Sequence, residues 1–143
     1  MTVEEKKEIL EDYSKLIDRI ETTRKEVFDL KARVAALSNT ISELPRGQAD
    51  GSKTERAIES IERAINNLIA EECEACETVA RIVNAISNLH DTRERQILSL
   101  KYIGEKKGSK YKYYCLWEIA NRMGYSIDRI KQLHRRGIRN IKF

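Results

Sequence analysis

Proline occurs once in the 143 residues, and Phe, Trp and Tyr together make up 6 % of them. That poverty argues against a sandwich or barrel, which needs frequent turn residues and bulky side chains on alternating positions. Three cysteines are odd in number and too few for a disulfide framework. The sequence holds no run of about 18 apolar residues that could span a bilayer, and its start, MTVEEKKEIL, is charged where a signal peptide would be apolar. Nor does it show a phosphate-cradling glycine loop, a metal-ligand cluster or a nucleophile with its base. The expectation is an all-α, soluble, cytoplasmic protein that is not an enzyme, has no cofactor and has no membrane partner. Its length allows one domain or two small ones.

Charge is what the chain has in plenty: 35 % of its residues are Asp, Glu, Lys or Arg. The net +4 hides a division, because residues 1–90 carry 13 Lys and Arg against 18 Asp and Glu, a net −5, while residues 91–143 carry 14 against 5, a net +9. Such a split suggests a polyanion-binding end joined to an acidic, non-binding end.

In the acidic part, apolar residues recur at Ile9, Tyr13, Leu16, Ile20, Val27, Leu30, Val34, Leu37, Ile41 and Leu44, in alternating steps of four and three, with Thr23 as the one interruption. A second stripe runs Ile58, Ile61, Ile65, Leu68, Ala75, Val79, Ile82, Ile86 and Leu89, interrupted by Glu72 and widened by Ile69, Cys76 and Val83. Both are heptad seams. Pro45, Gly47 and Gly51 end the first helix, and Ser52 or Thr54 can cap the second. Residues 1–90 are therefore expected to form a long antiparallel coiled-coil hairpin with a linker at about 45–53. Two helices alone bury little, so the seams are expected to support a homo-oligomer through these N-terminal helices. Cys73 and Cys76 form a CxxC, but a structural zinc needs four ligands and Cys115, His90 and His134 are scattered. A redox CxxC sits at a helix N-terminus, not in mid-helix. The pair reads as small residues beside the seam.

The basic end begins with Asp91 and Glu94 in DTRE, a capping-box pattern that should start a helix running to about Tyr102. GEKKGSKYKYY, residues 104–114, reads as a flexible basic loop whose Lys110 and Lys112 can rest on phosphates and whose last tyrosine can pack inside. LWEIANRMGYSIDRIKQLHRR then reads as two short helices joined by a glycine turn. Ala120 is small where the helices cross, Gly124 can take the positive φ of the turn, and Ser126 can cap the second helix. Ile119, Met123, Ile130 and Leu133 supply the apolar contact, and His134 reads as a packing or phosphate-side residue. The outward remainder of the second helix is Ile127, Asp128, Lys131 and Gln132, a set able to read base edges. Ser126, Arg129, Arg135, Arg136 and Arg139 are placed to hold phosphates. The expected architecture is all-α, with the hairpin followed by a helix-turn-helix domain over 91–143 and double-stranded DNA as partner.

DTRERQILSLKYI followed by LWEIANRMGYSIDRIKQLHRRGIRNI resembles region 4 of sigma-70-type RNA polymerase sigma factors over about residues 86–143. With LPRGQADGSKTERAIESIE and the YS…RI…LH…GI…I pattern, the chain is also similar to phage and prophage regulators of Gram-positive bacteria of the RinA and ArpU type. The resemblance implies promoter-reading contacts at Ile127, Asp128, Lys131 and Gln132, with RNA polymerase as a further partner. Ile127 stands where the sigma pattern has arginine, Asp128 where it has glutamate, and Gly137 where alanine is common. Nothing like region 2 is present, so the implied role is a phage-derived activator. The alternatives are a small-terminase-like DNA-packaging protein and a polymerase-docking co-factor that does not touch DNA.

Overall fold

A computed structural model of the chain describes residues 1–43 and 50–143. The elements are α1 (Val3–Glu43), α2 (Asp50–Ser87), α3 (Thr92–Leu98), a π-helical turn (Ser99–Ile103), β1 (Glu105–Lys107), β2 (Lys110–Lys112), α4 (Leu116–Met123) and α5 (Ile127–Asn140). Most of the expected linker, with Pro45 and Gly47, lies outside the described residues, as does Leu44. Helix α2 already runs at Asp50, so Ser52 and Thr54 lie within it rather than before it. The glycine at 51 costs a helix about 1 kcal/mol relative to alanine, which 38 residues of helix can absorb.

The chain divides into two compact units: Met1–Ile17 with Glu77–Phe143, and Asp18–Cys76. In Asp18–Cys76 the two heptad stripes face each other. Ile20, Thr23 and Val27 of α1 and Ile65 and Ala75 of α2 are buried, and Arg24 donates to Glu72 at 2.6 Å, which sets the antiparallel alignment. Glu72 interrupts its apolar stripe to receive that arginine. Leu30, Val34, Leu37, Ile58, Ile61 and Leu68 remain half-buried, because a pair of helices covers each seam from one side only.

The other unit holds two clusters. In the first, Leu10 and Tyr13 of α1 and Ile82, Ala85, Ile86 and Leu89 pack with Leu98, Tyr102, Ile138 and Ile141. Shared packing of this kind places the ends of the two long helices with the C-terminal elements, so the units divide the chain elsewhere than at the expected 90/91 boundary. The second cluster joins Ile97, Leu100, Tyr114, Ile119, Ala120, Ile130 and Leu133. The segment 97–102 feeds both: Ile97 and Leu100 go to one, Leu98 and Tyr102 to the other. The helix that begins at Thr92 does not stay α-helical to Tyr102 but widens into a π turn, closed by Gly104 N–H donating to Ser99 O at 2.8 Å.

Asp91 caps α3 as expected, accepting from the N–H of Arg93 and of Glu94. Glu94 does not complete a capping box. Its carboxylate is buried and accepts instead from Arg136 and Asn140 of α5. A buried carboxylate gains more from a guanidinium than from an N-terminal amide that water also reaches.

Candidate nucleic-acid interface

Helices α4 and α5 form a helix-turn-helix. Helix α4 ends where Gly124 takes φ 73° and ψ 27°, with its N–H donating to Ala120 O; this left-handed cap is open to glycine at no steric cost. Two residues later Ser126 is extended and its hydroxyl accepts from Arg129 N–H, which starts α5. Ile119, Ala120, Ile130 and Leu133 are buried between the helices, and Met123 packs at their edge. Asp128 lies in the first turn of α5, where a negative charge complements the helix dipole.

The opposite face of α5 presents Asp128, Lys131, Gln132 and Arg135, all exposed. Arg129 Nη1 donates to Gln132 Oε1 at 3.3 Å, which orients the amide. Arg139 is also exposed, and its carbonyl accepts from Lys6 Nζ at 2.9 Å. Two expected site residues are placed differently. Ile127 is half-buried and packs against the core that contains Ile119 and Ile130, because positions 127, 130 and 134 share one helical face; it belongs at least as much to packing as to the outward face. Arg136 donates to Glu94 Oε1 and to Asp91 Oδ2, both at 2.5 Å, and so ties α5 to the start of α3. Asp91 also receives Arg93, chiefly for which its pKa falls to about 2.

The basic segment 104–114 is not a flexible loop but a two-stranded hairpin, with Glu105 opposite Lys112, Lys106 opposite Tyr111 and Lys107 opposite Lys110. Its connection is Gly108-Ser109, with the positive φ confined to Gly108 at 65°, as in a type II′ hairpin turn. The base is fixed to α4. Lys112 Nζ lies 2.9 Å from Glu118 and Arg122 lies 2.7 Å from Glu105, while the buried Tyr114 donates its hydroxyl to Glu105 at 2.8 Å. Arg122 and Tyr114 accordingly lower the Glu105 pKa, and Lys112 lowers that of Glu118. Lys112 is thus a brace, whereas Lys110 is exposed near the tip. The last tyrosine of the segment does pack inside, as Tyr114.

His134 faces the core. Its Nε2 lies 2.8 Å from the Tyr102 hydroxyl and the two rings stack with centroids 5.8 Å apart. Burial, helped by Lys101, Lys7 and Arg135, lowers its pKa to about 4. The imidazole is therefore neutral at pH 7 and Nε2 can accept the phenol proton, while burial raises the Tyr102 pKa. Cys115 caps α4 with a side chain that faces solvent, and Cys73 is exposed on α2. The sequence pattern alone does not single out Lys107 or Trp117; Trp117 is 65 % exposed on α4, and its only signal is an aromatic residue on the polar side of an amphipathic turn.

Among the described residues, no helix is long and apolar enough to cross a membrane. A search of curated proteins and a search of solved structures each returned no match. Residues 86–142 do match a family model, described as Sigma-70, region 4. That span holds the turn at Gly124, the cap at Ser126 and the polar face of α5, so the C-terminal part of the chain is a sigma-70 region 4-like helix-turn-helix domain, of a DNA-binding, transcription-related kind.

Proposed function

We propose that the protein is a sequence-specific DNA-binding regulator of transcription, a phage-derived activator that works at promoters with the host RNA polymerase. The observation that carries this reading is the division of α5. One face is closed against α3 and α4, and the other presents Asp128, Lys131, Gln132 and Arg135 to solvent. In the helix-turn-helix mode of docking, the N-terminal part of the second helix enters the major groove. Gln132 then pairs with adenine through N6 and N7, Lys131 with guanine O6 and N7, and Asp128 accepts from cytosine N4, with Ile127 at the margin of this set. Ser126, Arg129, Arg135 and Arg139 flank the set and hold phosphates. The net +9 of residues 91–143 supplies the salt-dependent part of the affinity.

The N-terminal helices serve self-association. Phe28 is 74 % exposed and Ile69 38 % exposed, and both lie one turn beyond the Arg24–Glu72 pair, so a second copy can cover what one hairpin leaves open.

Selection of bound DNA from a random pool, followed by binding at several salt concentrations, tests the reading. Recovery of a common sequence is the expected result, with Lys131→Ala and Gln132→Ala each relaxing one base position at a cost of about 1–3 kcal/mol in discrimination. Weak binding indifferent to sequence would remove the regulator reading.

A further inference from the structure

The hairpin of β1 and β2 has a feature that folding alone does not favour. Lys107 and Lys110 are directly opposite one another at the last register position before the turn, and like charges placed so destabilise a strand pair. Neither lies within ion-pair distance of a carboxylate among the described residues, and both are exposed. Side chains two apart on a strand share a face. The tip lysines therefore stand on the same face as Glu105 and Lys112, the two residues that bind Arg122 and Glu118 of α4. Lys107 acts on Glu105 from a distance only, and that carboxylate is already held by Arg122 and Tyr114. Lys106 and Tyr111 occupy the other face.

This face has a fixed relation to the helix-turn-helix. Only residues 113–115 separate β2 from α4, and the ion pairs to residues 118 and 122 hold the hairpin along one side of that helix. At the other end, Gly104 is locked by its surroundings, since an added Cβ would lie 2.6 Å from Lys112 O. In helix-turn-helix docking the first helix crosses the sugar-phosphate backbone. A rigid hairpin fixed to that helix, with two such cations on the helix side, can take from a polyanion the opposite charge that the lysine pair needs.

We propose that the β1–β2 hairpin is a wing whose Lys107 and Lys110 grip backbone phosphates of duplex DNA beside the segment read by α5. The proposal rests on the DNA-binding reading given above and adds a second point of attachment, one that carries no sequence information. Lys112, in the same stretch, serves it as a brace.

The test uses the full-length protein and the DNA recovered by selection. In Lys107→Gln/Lys110→Gln, the slope of log affinity against log salt should fall by about 2, at about 0.9 for each phosphate no longer neutralised. The fall should be equal on the selected and on scrambled sequences, and the backbone-cleavage footprint should shorten on one side. Lys110→Glu separates folding from binding, because it places opposite charges across the strand pair while cancelling the charge of the tip. Its unfolding midpoint should hold or rise as its DNA affinity falls. An unchanged slope and footprint in both variants, with selective binding intact, would overturn the wing and leave the regulator reading standing. Loss of RNA polymerase binding with unchanged DNA binding would assign the tip to an acidic protein surface and overturn it too. If the wild-type protein shows no sequence preference at all, the regulator reading falls first and the wing falls with it.

Discussion

Tyr102 and His134 are 32 positions apart, and nothing in the letters LHRR shows that the imidazole turns inward to meet a phenol. Their pairing has a pH consequence whose sign follows from burial. A histidine with a folded pKa near 4 against an ordinary 6.5 contributes stability that is fully present above pH 6.5 and is lost as the pH falls toward 4. Each unit of such a shift corresponds to about 1.4 kcal/mol. Asp91, held at about 2 against 3.8, loses its contribution only below that window. Denaturant unfolding at pH 7 and pH 4.5 should therefore show a loss for the wild type that is smaller in His134→Gln, which has no proton to gain. Equal losses would assign the acid sensitivity elsewhere. The glycines make a second residue-scale prediction. At Gly124 a methyl group would meet nothing within 4 Å, so the position has only its left-handed backbone to defend, and Gly124→Ala should cost about 1–2 kcal/mol in thermal or chemical unfolding. Gly104 combines φ 77° and ψ −178° with a carbonyl oxygen 2.6 Å from any added Cβ. Gly104→Ala should cost more, about 3 kcal/mol, since conformation and collision add. Of these residues, Gly124 was legible from its place between two amphipathic turns, whereas the need at Gly104 arises only when β2 folds back beside it.

At the scale of elements, α3 and α5 are joined by a small polar network inside an otherwise apolar contact. Glu94 is buried, and without Arg136 it would keep only Asn140. Arg136→Ala should therefore destabilise the domain well beyond the roughly 0.5 kcal/mol usual for a surface substitution, because it leaves a buried carboxylate without its cation. Its DNA binding should weaken on all sequences alike, in proportion to the fraction unfolded. If unfolding is unchanged while binding drops, Arg136 serves phosphate instead. Helix α5 was plain from its amphipathic spacing and from Ser126, because cap and periodicity agree. The hairpin was not, since three-residue strands made largely of lysine carry little β preference. Its available signal was the pair of lysine doublets around Gly108-Ser109. Glu94 misled for a related reason: the S/T/D-x-x-E pattern describes a local partner, and a nonlocal arginine displaced it.

Over the whole chain, the heptad stripes and the charge division foretold two different kinds of material, and both are present. What they did not foretell is that Leu10 and Tyr13 join the C-terminal core, because a repeat shows which side of a helix is apolar but not which neighbour covers it. The exposed Phe28 and Ile69 bring self-association within reach of experiment. Phe28→Glu/Ile69→Glu should lower the solution mass by sedimentation, leaving the salt slope of each bound copy as before. A mass unaffected by the change would place the association elsewhere on the helices. Finally, the π turn at Ser99–Ile103 works as a reading frame for side chains. One extra residue per turn rotates everything after it, so that Leu100 enters one cluster and Tyr102 the other. Substitutions within it are therefore tolerable where a single deletion is not: restoring plain α-helix would swing Tyr102 away from His134 by about 100°, the angle of one residue in a helix of 3.6 per turn. Here the length of five residues is information in its own right, independent of which residues spell it.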